Sequence, residues 1–437
     1  IWAVISTVSY GMEYLLYSLT GFRDSVCSPI VYLVCNMGVK TVSDANGTAV
    51  SVAVKGMPVM LLYLIPAVLL LIFAVIFYQK RQLECAGDIV AFRWMNPVFR
   101  WVIAFAGGVG LGLIFAGVFF GSDRKYAIIL ILFSAGMTLV FFFLAEMILK
   151  KRFRIFRKGI WLEGIVSAAV VLLLIGAVDA DLFGVERRIP EADQVQAALL
   201  EAPAYDVVMT DTEQIEELEA AHQSILDHKK EYEDVYYDNQ SYYVETGEWM
   251  EMTTYSITYY LKDGRRLKRS YTIPTEYRAD PSSAVSLLTL LQGDPDAFLK
   301  YSICKNYKDV TYIGASMDMV SYDAADGMVY SETRNLDQLQ AQTLYEALLQ
   351  DIMEGNYPLN QLDGNSSDDN EAYYNTLSFT GQILGDAESI YDDLPDGTDT
   401  TDYINDSGTL IDDYTNSSYS TVYSSFNIYP SCTHTIQ

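Results

Sequence analysis

The sequence is poor in the residue types with which most enzymes carry out their chemistry. It has three His and five Cys among 437 residues, and they do not fall at the spacings of a metal site. No nucleophile, base and orienting group form a catalytic set, and the Gly-Lys-Ser or Gly-Lys-Thr of a phosphate loop does not occur. We therefore expect a protein that is not an enzyme and that needs no cofactor or metal.

Positive charge is scarce in the second part of the chain. Residues 1–178 carry 15 Lys and Arg against 8 Asp and Glu, whereas residues 179–437 carry 14 against 48. A basic membrane part joined to an acidic exported part has this asymmetry, which a single globular enzyme seldom has. The acidity of the second part also repels nucleic acid, so we expect no nucleic-acid partner.

Long apolar stretches are confined to the first part, and they predict membrane helices. The last stretch, residues 160–178, follows a basic cluster at residues 150–158 that holds six Lys and Arg. Such clusters stay on the cytoplasmic side, and a rise of about 1.5 Å per residue lets this stretch cover most of the hydrocarbon core. The chain after residue 178 is therefore expected outside the cell. The predicted helices are residues 1–22, 58–78, 98–121, 126–149 and 160–178.

These features predict a multi-pass protein that contacts the lipid bilayer. Its fold class is an α-helical polytopic membrane domain, residues 1–178, followed by an extracellular α+β domain with an antiparallel sheet, residues 204–437. Residues 179–203 are predicted to be a connector. The chain begins at Ile1 inside an apolar stretch, so we expect a fragment that lacks earlier membrane helices.

A few residues stand out within the predicted membrane helices. Glu13 lies in the middle of the first, where a carboxylate is costly and marks either a transport pathway or a buried pair. Arg100 and Glu146 lie close enough to helix ends for their charged groups to extend toward water. Gly108 and Gly112, four residues apart, allow a second helix to approach closely, in a specific contact or in ordinary close packing.

The residues around the second predicted helix carry a family resemblance. The run Lys80–Phe92, KRQLECAGDIVAF, and the earlier run Ser28–Leu33, SPIVYL, resemble the permease subunits of bacterial ABC-2-type transporters. The closer match is to the Gram-positive, GntR-regulated subgroup that responds to cell-wall antibiotics and has an exported C-terminal domain of unknown function. The resemblance is best over residues 25–160 and weaker over residues 185–300.

This resemblance implies a permease in a bacterial cell membrane that works with a separate ABC ATPase subunit and a second permease subunit, identical or different. In such an assembly a short element on the inner face receives the motion of the ATPase. Residues 84–96 are a candidate for that element, with Glu84, Asp88 and Arg93 as coupling residues. An ordinary connecting loop is the alternative.

The exported part begins with a predicted strand and helix. Residues 205–209 predict the strand, and Thr210 with Glu213 predicts a capping box for a helix that ends near Lys229. His222 falls on the buried face of this helix. A hydrogen-bonded core histidine is favoured there over a metal or ligand role.

The clearest local signal in the exported part is a hairpin at residues 252–273, because two alternating runs flank Asp263-Gly264. Its cations are expected to pair with surrounding acids rather than to bind an anionic ligand. Apolar periodicity predicts further elements: a helix at 281–291, strands at 310–313 and 317–322, and a helix capped by Asn335 with Gln338.

The last part of the chain offers weaker signals. Residues 363–425 are rich in Asp, Asn, Ser, Thr, Gly and Tyr, which predicts long loops or partial disorder. The Asp residues from 392 to 406 predict at most weak cation binding, because their spacing differs from that of an EF-hand loop. Cys304 and Cys432 could form a disulfide, as could Cys27 and Cys35, and spacing alone leaves both pairings open.

Two functions follow from these patterns. The first is the membrane-spanning permease subunit of an ABC exporter, powered by a separate ATPase subunit. The alternative is a membrane-anchored sensor or interaction protein whose exported domain binds a cell-envelope ligand. Glu13 and the glycine-rich helix favour transport, whereas the large exported domain favours sensing. The family resemblance decides for the transporter.

Overall fold

The structure, a computed structural model, describes residues 11, 38–43, 49–55, 57–80, 95–120, 125–151, 153, 158–246, 250–323, 328–359, 375–384, 387–395, 410–412, 419–429, 432 and 435. The chain divides into two compact units. The first unit comprises residues 1–43, 49–188 and 233–248, and the second comprises residues 44–48, 189–232 and 249–437.

Among its described residues, the first unit contains a hairpin, four apolar helices and the later part of a helix that begins in the second unit. Strands β1 (Gly38–Ser43) and β2 (Ala49–Lys55) pair antiparallel, with Gly38 opposite Lys55. The sequence patterns had not predicted this hairpin. The apolar helices are α1 (Met57–Lys80), α2 (Met95–Phe120), α3 (Tyr126–Lys150) and α4 (Lys158–Asp179).

Three of these helices are long and apolar enough to cross a membrane. They are Met95–Phe120, Tyr126–Lys150 and Gly159–Asp179, which agree with the predicted helices at 98–121, 126–149 and 160–178. They indicate a transmembrane protein. Helix α1 covers the predicted stretch 58–78, and within it the shorter segment Tyr63–Ile76 is apolar. Of residues 1–22 the structure describes only Gly11, so the count of five helices stays a prediction.

The second unit begins with a four-stranded antiparallel sheet in the order β4-β3-β5-β6. Its strands are β3 (Val195–Glu201), β4 (Val207–Met209), β5 (Met252–Leu261) and β6 (Arg266–Pro274). Strands β5 and β6 form the predicted hairpin, and Gly264 in its turn has a φ of +82°, which glycine adopts without strain. Strand β3 lies in the segment that the sequence patterns assigned to a connector, and it is a central strand of the sheet.

Helices follow and interrupt this sheet. In the second unit they are α5 (Thr212–Asp227), α7 (Ala284–Leu291) and α8 (Pro295–Ser302), whereas α6 (Lys229–Thr246) begins in the second unit and belongs to the first from residue 233 onward. The predicted capping box at the start of α5 is wrong, because the N-cap is Asp211 and its side chain makes no capping hydrogen bond. Helix α7 begins three residues later than predicted, where Ser283 Oγ accepts a hydrogen bond from the Ser286 N–H.

A five-stranded antiparallel sheet in the order β10-β11-β9-β7-β8 completes the second unit. Its strands are β7 (Thr311–Asp323), β8 (Met328–Leu336), β9 (Asn375–Leu384), β10 (Leu410–Asp412) and β11 (Tyr419–Ile428). The expectation of loops or disorder across 363–425 is therefore wrong for these three later strands. The unit has the α+β character and antiparallel pairing that the sequence predicted, in two sheets rather than one.

Helix α9 (Gln338–Met353) packs on β7 and covers one face of the five-stranded sheet. Its capping box is formed by Asp337 and Gln340, not by Asn335 and Gln338: Asp337 Oδ1 accepts from the Gln340 N–H, and Gln340 Oε1 accepts from the Asp337 N–H. Asn335 cannot be the N-cap because it lies within strand β8.

The core between α9 and the sheet is aromatic and contains Cys304 and Cys432. The Tyr312 ring lies 4.0 Å from that of Tyr345 and 5.0 Å from that of Phe379, measured between centroids. Cys304 and Cys432 are buried in the same core as free thiols, so the structure does not contain the disulfide that was left open. Burial raises the pKa of the Cys304 thiol to about 12, which keeps it protonated and inert.

The end of the chain is fastened to α9 by a buried carboxylate. Asp351 is fully buried, and its Oδ2 accepts hydrogen bonds of 2.7 Å from both the N–H and the hydroxyl of Thr435. Buried charges are tolerated only with such partners. Asp351 therefore fixes the position of Thr435 against α9.

Candidate functional site

Four of the six predicted site residues, Glu13, Glu84, Asp88 and Arg93, lie outside the described residues. Cys27, Cys35 and most of the basic cluster at 150–158 do so as well. The other two, Gly108 and Gly112, lie in α2 and are buried. For these two glycines the structure shows which atoms of the neighbouring helix lie close by.

Gly108 and Gly112 belong to a stripe of small residues that we call the glycine seam: Ala104, Gly108, Gly112 and Ala116. All four are buried and recur every fourth residue along α2. A Cβ atom added to Gly108 would lie 2.6 Å from Cα of Thr138, and one added to Gly112 would lie 3.0 Å from Cα of Ser134. The backbones of α2 and α3 therefore meet along this seam, as small residues spaced four apart allow.

A charge cluster joins α2, α3 and α4. Its members are Arg100 of α2, Glu146 and Lys150 of α3, and Glu163 of α4. Arg100 Nη1 lies 2.8 Å from Glu163 Oε2 and 3.3 Å from Glu146 Oε2, and Lys150 Nζ pairs with Glu146 Oε1. The expectation that Arg100 and Glu146 extend toward water is wrong, since their side chains are 14% and 4% exposed. They converge because α2 begins, α3 ends and α4 begins at one end of an up-and-down bundle.

The charge cluster can join helices, and its charges balance as two cations against two carboxylates. The Arg100 guanidinium also lies 5.5 Å from the centroid of the Phe142 ring, which adds a cation–π contact to α3. A displacement of α2 relative to α3 or α4 has to break at least one of these ion pairs. The cluster therefore holds the three helices together at one end of the bundle. The glycine seam extends the contact between α2 and α3 along the rest of these helices.

His222 is a core histidine, as favoured from the sequence. Its Nδ1 lies 3.2 Å from the hydroxyl of Tyr259 and its Nε2 lies 2.7 Å from the hydroxyl of Tyr271. Burial, with a smaller effect from the Arg269 charge, lowers the pKa of His222 to about 3. The imidazole is therefore neutral at physiological pH, and both its ring nitrogens are held by tyrosines.

Two of the four cations of the β5–β6 hairpin, Arg265 and Lys268, pair with acids as expected. Arg265 Nε donates to Asp263 Oδ2 at 2.6 Å, and Lys268 Nζ lies 2.7 Å from Glu201 Oε2. Arg269 differs, because its side chain is buried and donates to the backbone carbonyl of Lys268. This arrangement gives no support to an anion site on the hairpin.

The acidic run offers no cation site among the described residues. Asp392 accepts a hydrogen bond from the Ser389 N–H, and Asp393 pairs with Lys305 at 2.6 Å. Within the ranges that the structure describes, no group of three or more His, Cys, Asp or Glu is placed to hold a metal. The acidic residues from 396 to 406 lie outside those ranges.

The outer face of the five-stranded sheet is a second candidate site, which the sequence patterns did not indicate. Leu377, Phe379 and Ile383 of β9 are buried toward α9, so the alternate residues point to the opposite side. That side carries a groove of about 490 Å³. The hydroxyl, amide and glycine residues that line it, which we call the hydroxyl face, are Gly314, Ser316, Asn335, Ser378, Thr380, Tyr423 and Ser425.

In the second unit, the segment that follows β9 contacts the four-stranded sheet, and this contact includes the carboxyl group of Asp206. The segment Ile390–Asp393 packs its Ile390 and Tyr391 against Ala197 and Leu199 of β3. The Tyr391 hydroxyl donates to Asp206 Oδ2 at 2.9 Å. Burial, opposed by this hydrogen bond, raises the pKa of the Asp206 carboxyl to about 6. The folded state therefore prefers Asp206 protonated.

This raised pKa predicts the sign of a pH effect. Because the folded protein binds the proton more tightly, Asp206 contributes stability at low pH that is lost as pH rises from about 4 to about 6. In urea denaturation, the stability difference between wild type and Asp206→Asn should therefore shift by about 3 kcal/mol in favour of the variant between pH 3.5 and pH 7. The opposing titration of His222 is common to both proteins and cancels in this difference.

Asp296→Asn is the matched control for this pH effect. In the native protein, the hydrogen bond that Lys300 donates to Asp296, together with other contacts, lowers the pKa of the Asp296 carboxyl to about 2. The native Asp296 therefore stabilises above pH 4 and loses that contribution on acidification, the opposite sign. If the difference in free energy of unfolding between wild type and Asp206→Asn did not change with pH, the raised pKa of Asp206 would be contradicted.

Three comparisons set these observations against known proteins. No protein-family model, no curated protein and no solved structure matches the chain. The described residues include three helices long and apolar enough to cross a membrane, which indicate a transmembrane protein, and a unit with two antiparallel sheets.

Proposed function

We propose that this protein is the membrane-spanning permease subunit of an ABC exporter in a bacterial cell membrane. A separate ATPase subunit hydrolyses ATP, and a second permease subunit, identical or different, completes the pathway. The second unit lies outside the cell. No enzymatic activity of its own is required of the chain.

The charge cluster is the observation that carries this proposal. A permease has to transmit motion from an ATPase on the inner side into several helices at once, which requires a rigid connection at their inner ends. Arg100, Glu146 and Glu163 join α2, α3 and α4 at one end of the bundle. That end is adjacent in sequence to the basic residues 150–158, which the distribution of positive charge assigns to the cytoplasmic side.

The glycine seam supports the same function. It fastens α2 to α3 at backbone contact, so that the two helices move as one body. A rigid helix pair with ion pairs at its inner end is suited to transmit a movement from residues 84–96 into the membrane. A helix that only anchors an exported domain needs neither feature.

The test is whether an ATPase associates and is coupled. The full-length protein is purified from its bacterial host in mild detergent, and we expect an ATP-binding subunit to co-purify. In proteoliposomes, Glu84→Ala and Arg93→Ala should lower the ATPase rate several-fold while the complex stays intact. If no ATP-binding protein accompanies the chain, the permease proposal fails.

The alternative function is a membrane-anchored sensor or interaction protein of the cell envelope. The hydroxyl face favours it, because an exposed uncharged groove on a large exported unit has no part in moving a substrate across the bilayer. The two functions differ in one observable. A sensor still binds its ligand when residues 84–96 are replaced, and this replacement changes no ATPase rate.

A further inference from the structure

We propose that the hydroxyl face of the five-stranded sheet binds a neutral saccharide chain. This inference does not depend on the permease function, since it rests on the second unit alone. It assigns to the exported part a ligand class that neither the charge cluster nor the glycine seam addresses.

The absence of charge in the groove is the first argument. About one residue in five of residues 179–437 is acidic, yet none of the described residues that line this groove is an Asp, Glu, Lys or Arg. A charged ligand needs a countercharge when it leaves water, and the lining residues supply none. The groove therefore selects for neutral ligands in a domain that otherwise repels anions.

The hydroxyl array is the second argument. Ser378 of β9 and Ser425 of β11 are neighbours across the strands, with their Oγ atoms 3.0 Å apart. A serine hydroxyl has one donor and two acceptor positions, so this mutual bond leaves capacity on both residues for a ligand. Ser316 and Thr380 extend the array onto β7 and along β9. Saccharide hydroxyls have the same dual character and match such a surface.

The shape of the groove is the third argument. Tyr423 is 38% exposed on β11, so its ring can lie against the C–H face of a sugar. Gly314 lies on β7 beside a register irregularity between Tyr312 and Gly314, and a Cβ added to it would meet nothing within 4 Å. The missing side chain at Gly314 opens the groove, and the aromatic ring bounds it.

The experiment measures binding of three neutral oligosaccharides, chitohexaose, cellohexaose and maltohexaose, to the full chain. The protein is held in lipid nanodiscs, because glycoside detergents would compete for the same surface. Saturation-transfer difference NMR and calorimetry should detect binding of at least one of the three at millimolar concentration or better. Binding of none of them overturns the proposal.

Variants locate the site. Gly314→Leu places a side chain in the groove from a Cβ that meets nothing within 4 Å, and Tyr423→Ala removes the ring, so each should weaken binding at least tenfold while the thermal unfolding temperature is kept. Tyr243→Ala is the matched control, because Tyr243 is 40% exposed and does not line the groove. Its affinity should equal that of wild type. Unchanged binding by the Gly314 and Tyr423 variants, or tighter binding of anionic polygalacturonate, contradicts the proposal.

Discussion

Replacement of Arg100 by Met is expected to lower the free energy of unfolding of the helix bundle by about 3 kcal/mol. The Met side chain keeps much of the volume but leaves Glu146, which is only 4% exposed, with Lys150 as its ion-pair partner. Removing one member of a buried ion pair is costly because the remaining charge stays desolvated, and Lys150, whose side chain is 35% exposed, compensates the Glu146 carboxylate only in part. The loss is measured by SDS titration of the full chain in mixed micelles, followed by circular dichroism.

Two further variants separate the buried pair from the exposed one. Glu163 is half exposed, so Glu163→Gln should cost less than about 1 kcal/mol. The double variant Arg100→Met/Glu146→Met replaces the buried pair by apolar groups and should regain most of the loss. Equal losses for Arg100→Met and Glu163→Gln, or no recovery in the double variant, would show that burial of Glu146 is not what makes Arg100 important.

Much of the fold was predictable where one physical signal dominates locally. Uninterrupted apolar runs located α2, α3 and α4 to within a few residues, and the Asp-Gly turn located the β5–β6 hairpin. In each case the deciding interaction lies within the segment itself, either transfer from water or the geometry of a tight turn. His222 was placed correctly for the same reason, because helical periodicity put it on the buried face of α5.

The strands that were missed show where local signals mislead. β3, with the sequence VQAALLE, contains good helix formers and is a strand because it pairs with both β4 and β5. β9 and β11 combine a buried apolar face with the hydroxyl face, so their average composition resembles that of a polar loop. Strand formation there depends on pairing between residues far apart in sequence.

For the candidate sites too, features within one helix were visible in the sequence, whereas contacts between helices were not. The Gly108 and Gly112 spacing was visible in one helix, but its partners Ser134 and Thr138 required the packing of α3. The charge cluster joins residues 100, 146 and 163, and each alone reads as an ordinary charge near a helix end. An alternating up-and-down topology could have indicated their convergence, because it brings the start of α2, the end of α3 and the start of α4 to one side.

Substitution of Gly108 by Ala tests the glycine seam and is expected to cost about 3 kcal/mol. The added Cβ would lie 2.6 Å from Cα and 2.7 Å from N of Thr138, so α2 and α3 must separate. Gly112→Ala should cost less, since the Ser134 hydroxyl can rotate away and the atoms that cannot, Cβ and Cα of Ser134, lie 2.9 and 3.0 Å from the new atom. Gly110→Ala, on the same helix with nothing within 4 Å of its Cβ, should change stability by less than about 1 kcal/mol. The SDS titration used for Arg100→Met measures all three, and equal effects at residues 108 and 110 would mean that α2 and α3 do not meet at backbone contact.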